Sequence, residues 1–372
     1  MRTALATGEA ARPIRIGLSL TRALVVLGGG GLLLMAVVVV AVGIGSTPVS
    51  IGDTAAILGH RLLGLPIAQT WPASAETIIL DIRLPRVLTA MLVGGGLAMA
   101  GTVFQALLRN PLADPYVIGT AAGASFGAAL GIAAPLAVPS LAIGAGSSLL
   151  GLGVVQLLAF AGGLGTVLLV YAVARSAGRV QVVTLLLTGY AVSSVLAAMV
   201  ALLMFLSGRA LGAIFSWLMG SLANASWPAL TFAAPLLLAS FVLLLARWRR
   251  INLLLLGDAQ AGSLGVDVER EKLVLTLLAT LATSAAVAVS GTIGFVGLVV
   301  PHLLRLVIGP DHRLLLPASM LGGAILLVVA DLGARVVPGG GIPVGVVTAL
   351  IGAPFFLWLL RRSRLSRIEL DR

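Results

Sequence analysis

The sequence predicts an all-α bundle of about ten membrane-crossing helices, with both chain ends in the cytoplasm. Three observations carry this. Long apolar segments recur along the 372 residues, and about 20 apolar residues at 1.5 Å per residue cross a hydrocarbon core of ~30 Å. Mean hydropathy is +1.13, with 59% hydrophobic and 10% charged residues, where a soluble domain carries roughly 25% charge. Finally, basic residues crowd the loops of one side, as positive-inside loops do.

A basic leader, 1–22, holds Arg2, Arg12, Arg15 and Arg22. The apolar run at 23–45 is too long for a signal-peptide core and lacks a convincing cleavage pattern, so it reads as the first, uncleaved helix. A long outer stretch, Ser46 to Arg86, contains His60 and Trp71, and a second helix is expected at 87–108. A proline-flanked turn, Leu108-Arg109-Asn110-Pro111-Leu112-Ala113-Asp114-Pro115, ends that helix and delays the next. Helices at 117–134, 148–174 and 182–207 follow. The segment Leu211 to Gly220 is amphipathic but too short to span, so it should lie as a short helix at the outer surface, with Trp217 and Trp227 at the interface. After a helix at 228–247 comes an inner loop, 248–272, and then helices at 273–291, 294–308, 316–336 and 343–360. A basic tail, 361–372, closes the chain. The whole of 1–372 is used up as one transmembrane domain.

With these spans, the outer side keeps only Arg61, Arg83, Arg86, Arg209 and Arg335 of the 24 basic residues. Both termini are therefore expected in the cytoplasm. The net charge of +11 belongs to this topology signal and not to a nucleic-acid surface. The glycines inside helices, such as Gly94-Gly95-Gly96, Gly162-Gly163 and Gly322-Gly323, suit close helix packing, with hinges as the lesser reading.

Several chemistries are missing. A P-loop needs a lysine that reaches the β- and γ-phosphates. The single lysine, Lys272, follows Glu271 and not a glycine-rich loop. There is no cysteine, no helical cluster among the 13 acidic residues, and His60, His302 and His312 are scattered, so no metal site is expected. By these spans Asp331 is the one acidic residue inside a helix, with Arg335 at i+4 as a local ion-pair partner. Neither an enzyme nor an ion pump, which keeps ionisable groups near the midplane, fits well.

Five blocks stand out from membrane filler. They are Arg83-Leu84-Pro85-Arg86 just outside the second helix, the Leu108–Pro115 turn, Asn252–Gly265, Gly294–His302 with Arg305 and Asp311-His312-Arg313, and Gly341–Thr348 with Gly352-Ala353-Pro354. In the third, Gly257 and Gly265 break short helical pieces, a knob suited to a cleft in a soluble partner. In this order and spacing the blocks resemble the permease family that imports ferric siderophores, haem and cobalamin with an ATP-binding-cassette partner. The likeness runs from about Ile82 to Leu360.

That resemblance implies a bacterial inner-membrane homodimer, driven by two cytoplasmic ATPase subunits that carry the ATP and Mg. A periplasmic binding protein would deliver substrate, and the chain itself would bind no cofactor. By the same resemblance, Leu256, Gly257, Ala261, Leu264 and Gly265 belong to the coupling loop that contacts the ATPase. Asn110 and Leu112 match positions near the cytoplasmic gate, although a helix-ending turn also explains them. Val182 and Val183 stand where some relatives place small hydroxyl residues at a second gate. Arg83, Arg86 and Arg335 match positions that meet carboxylates of the binding protein, with interfacial anchoring as the plainer alternative. Among cargoes haem is favoured, a ferric siderophore next and cobalamin third. Arg209 could meet haem propionates, and Phe215, Trp217 and Met219 could line an apolar path. A secondary transporter or channel working alone is the rival reading.

Overall fold

The computed structural model describes residues 20–45, 47–137, 153–176, 179–337 and 341–370. Most of the predicted leader and the start of the fourth predicted span lie outside these residues. Seven helices among them are long and apolar enough to cross a membrane: α1 (Thr21–Gly43), α3 (Ala73–Leu107), α5 (Val154–Ala174), α6 (Val182–Leu206), α8 (Trp227–Leu245), α11 (Val268–Ser290) and α13 (His312–Val336). Between them stand α2 (Ile51–Leu63), α4 (Thr120–Ala137), α7 (Leu211–Leu218), α9 (Trp248–Leu254), α10 (Asp258–Ser263), α12 (Val296–Ile308) and α14 (Val344–Leu370). A two-residue hairpin, β1 (Arg175–Ser176) with β2 (Arg179–Val180), joins α5 to α6.

The chain is built around α3. Its most apolar window is 89% buried, against 11% for α1 and α6, so α3 is the central post and the other two stand at the periphery. It packs on α13, α11, α12 and α8. Small residues permit this closeness. A Cβ at Gly94 would sit 2.2 Å from the Gly323 carbonyl oxygen, and one at Gly101 would meet the Gly297 backbone. Backbone cannot yield as a side chain would, so glycine is required at these crossings and the packing reading of the helical glycines holds.

One expectation needs correction, and two segments take on structure that the sequence left open. The Arg83–Arg86 block lies inside a helix and not outside it, because α3 begins at Ala73, well before position 87. Residues Ile78–Arg83 form a π-turn in which the Leu84 amide reaches Ile79. That wider turn relieves the clash that Pro85 would have with an i−4 carbonyl and lets the helix run through. The stretch 47–86 is folded: α2 is capped by Ser50, whose side chain accepts from Asp53 N, and by Gly64 at φ +64°. Glu76 then ties Arg61 (2.6 Å) and Trp71 (3.2 Å) together. The predicted tail is helical as far as Leu370, where α14 ends.

Between α11 and α12 the chain breaks at Gly291 (φ +67°) and Phe295 (φ +68°). A left-handed phenylalanine is a costly conformation that its surroundings must hold. Gly352 of α14 does so, since a Cβ there would lie 2.4 Å from the Phe295 side chain. The Tyr116 hydroxyl adds a bond to the Ile293 carbonyl, 3.0 Å away.

Candidate functional site

At one end of the bundle, the α3–α13 contact brings together residues far apart in sequence. Asp331 is fully buried. It accepts from Arg86 Nη2 (2.8 Å) and Nε (3.0 Å), and Arg335 Nε stands 3.0 Å from its other oxygen. The anticipated Asp331–Arg335 pair is therefore present, but as part of a triad whose third member comes from α3. Arg335 also donates to the Ala41 and Ile44 carbonyls. Arg83, only 4% exposed, donates to the carbonyls of Val42 (3.1 Å), Gly43 (2.7 Å) and Thr47.

These carbonyls are the unsatisfied C-terminal acceptors of α1 and the residues just beyond it, where cations are favoured. All three arginines matched to outward-facing positions are thus engaged within the chain: Arg86 and Arg335 by Asp331, and Arg83 in closing the end of α1. Arg83, Arg86 and Arg335 nonetheless converge on one cavity of about 760 Å³, with Ser216, Ser221 and Ile342 on its wall.

The short amphipathic element lies at this same end. It is α7, anchored by fully buried Ile214, with Phe215 51% exposed and Trp217 and Met219 half-buried. Thr292 donates to the Leu218 carbonyl (2.5 Å), fixing α7 against the break before α12. Arg209 is exposed just ahead of it. Trp227 donates to the Leu80 carbonyl (3.0 Å), locking the start of α8 to the π-turn.

The opposite end carries the loop between α8 and α11. As expected, it consists of two short helices, α9 and α10, separated by Gly257 at φ +118° and closed by Gly265 at φ +84°. Leu256 and Leu264 are each 58% exposed, while Ala261 is fully buried. The exposed pair forms the apolar tip and Ala261 packs the tip onto the bundle, so Ala261 supports the loop from beneath.

Charges lock the loop down. Glu271, nearly buried, is held by Arg247 (2.8 Å) and Arg250 (2.9 Å). Asn252 donates to Asp311 (2.8 Å) and accepts from the His312 amide (3.0 Å), tying α9 to the start of α13. Asp258, at the first residue of α10, pairs with Lys272 (2.6 Å) and with Arg109. Burial alone would raise the Asp258 carboxyl, but Lys272 and Arg109 outweigh it and hold the group below the usual carboxylate range.

Arg109 belongs to the Leu108–Pro115 turn. It sits at φ +47° and also donates to the Leu254 carbonyl (3.1 Å). The turn holding Asn110 and Leu112 is therefore joined directly to the loop between α8 and α11. Within it, the Asn110 side chain accepts from the Leu112 amide (3.0 Å), as a turn-forming asparagine does.

Val182, at the first turn of α6, is half-buried beside Phe104, Leu185 and Thr276. Val183 is 67% exposed, and Leu187, Tyr190 and Val195 further along α6 are exposed as well. Reading the sequence missed the partners of Asp331, Asp258 and Glu271. Arg86 lies 245 positions from Asp331 and Arg109 lies 149 from Asp258, separations that leave no local spacing to notice.

Comparison with known proteins bears on both ends. The FecCD transport family matches residues 33–362. The chain is 42% identical over 296 residues to the cobalamin import system permease protein BtuC of Halobacterium salinarum, covering 80% of this chain and 76% of that one. It is 42% identical over 311 residues to the hemin transport system permease protein HmuU of Yersinia pestis, covering 82% and 90%. Among solved structures it is similar to a metal-chelate type ABC transporter in an inward-facing conformation, at 34% identity and a TM-score of 0.76, covering 91% of this chain and 99% of that one.

Proposed function

We infer the function from one premise: the chain belongs to the FecCD transport family. It is the permease subunit of an ABC-type metal-chelate importer, a multi-pass protein of the bacterial inner membrane and a non-catalytic component of its system. The observation that carries this is the extent of the match, 33–362, which takes in both ends of the bundle.

The finer reading is ours. The helices crossing the membrane number ten, with α4, α12 and α14 completing the seven longer ones, and both termini are cytoplasmic. Nineteen of the 24 basic residues then fall on the inner side. The permease works as a homodimer. The peripheral, apolar face of α6 supports this, since it is exposed among the described residues.

Two ATPase subunits seat on the loop 248–272, with Leu256 and Leu264 as the apolar tip, Gly257 and Gly265 shaping it and Ala261 bracing it. Asn110, Leu112, Val182 and Val183 form the cytoplasmic gate, and the bond between Arg109 and Asp258 joins that gate to the loop. A periplasmic binding protein docks over the outer cavity, where Arg86 and Arg335 meet acidic groups and Arg83 holds the adjoining chain in place. Arg209, Phe215, Trp217 and Met219 border the substrate path.

The cargo is haem or another iron chelate. Support is the similarity to a hemin permease. Equal identity to a cobalamin permease keeps cobalamin, like a ferric siderophore, as the alternative. The test is ATP turnover by the reconstituted permease with its ATPase and binding protein, titrated separately with haem, a ferric siderophore and cobalamin. Haem or an iron chelate should raise turnover and accumulate in the vesicles. Stimulation by cobalamin alone would reassign the cargo, and uptake without the ATPase would overturn the whole reading.

A further inference from the structure

One further place in the fold combines two features to which the transport reading assigns no role of their own, although Trp248 and Arg249 open the loop 248–272. The first is a cleft of about 320 Å³ between α1, α3, α8 and α13. Its walls are apolar throughout, including Leu27, Leu34, Met91, Phe241, Met320 and Leu321. The second is the ring of Trp248, which has the Arg249 guanidinium 5.2 Å and the Arg313 guanidinium 5.6 Å from its centre. Both arginines are exposed, and among the described residues neither pairs with a carboxylate. Arg247 and Arg250, their neighbours, are committed to Glu271.

Helix α13 links the two features. Arg313, Pro317, Leu321 and Ala324 recur at three- and four-residue intervals, so they lie on one face of the helix. At 1.5 Å per residue, the cleft residues Pro317 to Ala324 lie roughly 6–16 Å along the axis from Arg313. That is about the depth of one leaflet, half of a ~30 Å hydrocarbon core. Tryptophan prefers the membrane–water boundary, and basic pockets between membrane helices accept anionic head groups. An apolar cleft at that depth offers water no partners, whereas an acyl chain fills it.

We propose that this column is a binding site for an anionic phospholipid. The phosphate sits on Arg249 and Arg313 beside Trp248, and one acyl chain occupies the cleft beneath, bracing the sparsely packed α1 against α13. The site rests on the reading that α13 crosses the membrane with its Arg313 end at one surface. It does not depend on the cargo. A free phosphate could satisfy the arginines but would leave the cleft empty.

The full-length protein is reconstituted into phosphatidylcholine vesicles with or without phosphatidylglycerol. It is then re-extracted in detergent, its retained lipid is measured by mass spectrometry, and thermal unfolding is followed in both vesicle types. The parent should retain phosphatidylglycerol several-fold over phosphatidylcholine and unfold at a higher temperature in its presence. The double variant Arg249→Gln/Arg313→Gln should lose both effects, while Arg175→Gln/Arg270→Gln, an equal loss of charge elsewhere, should keep them. Leu34→Trp, which fills the cleft and leaves the arginines, should lower retention. If that variant fails to insert, the charge variants decide alone. Undiminished retention by Arg249→Gln/Arg313→Gln would overturn the proposal, as would inorganic phosphate reproducing the full stabilisation in phosphatidylcholine vesicles.

Discussion

Asp331 concentrates what a single residue does in this protein. A fully buried carboxylate is tolerable only when paired and hydrogen-bonded, and here two arginines meet it, one across the α3–α13 contact and one from its own helix. Removing the carboxylate leaves two cations facing each other with no anion between them. Breaking a buried pair in this way costs about 3–5 kcal/mol. Asp331→Ala should therefore lower the thermal unfolding midpoint of the purified permease markedly. Asp331→Ala combined with Arg86→Met, which removes the cation as well, should recover part of the loss. A midpoint unchanged in the single variant would mean that the triad contributes nothing to stability.

At the scale of the element, the loop from α8 to α11 is both rigid and presented. Left-handed glycines set its corners and Ala261 and Ile251 seat it on the bundle, while Leu256 and Leu264 remain uncovered. Exposed leucines at the tip of a fixed loop fit a partner's pocket, and a charge placed there should spoil the fit without disturbing the fold. Leu264→Glu should give a permease that unfolds at the parental temperature but either releases the ATPase on purification or hydrolyses ATP without uptake.

The Asp258 bridge supports this same element. Its carboxyl is held below the usual range, so whatever stability it contributes is present above that range and is lost only as pH falls through the lowered value. The ratio of uptake to ATP hydrolysis should accordingly stay flat between about pH 6 and 8, well above an ordinary carboxylate's ~3.9. A drop of that ratio within this window, absent in Asp258→Asn, would contradict it.

For the whole molecule, the two ends differ in the kind of surface they offer. One presents an apolar tip on an anchored loop, and the other an arginine-lined cavity. Charge pairs at a rim chiefly set encounter rate and orientation, and they weaken as salt shortens the screening length to ~8 Å at physiological ionic strength. Binding-protein association with the intact transporter should therefore slow as salt rises. Arg86→Gln should both slow it and flatten that dependence. Because Arg335 still partners Asp331, this variant should remain folded. An association rate unaffected by Arg86→Gln across the salt series would remove Arg86 from the docking surface.

What the sequence determined by itself is what hydrophobic length and local chain chemistry encode. The helix positions, the short helix at Leu211–Leu218, the broken loop around Gly257 and Gly265 and the close-packed glycines all follow from periodicity, composition and turn residues within a few positions of one another. The start of α3 did not, because the arginines and prolines of 72–86 look like a boundary. Only a π-turn, held in place by α1 and Trp227, lets the helix pass through them. The pairings that give the charged residues their roles were also beyond sequence reach. Arg86 finds Asp331, and Arg109 finds Asp258, only because helix crossings at Gly94–Gly323 and Gly101–Gly297 bring distant segments to contact distance. Inside a bilayer the hydrophobic requirement fixes which segments are helices, but it is nearly blind to which helix faces which. That choice falls to small residues and buried polar groups, whose partners exist only in three dimensions.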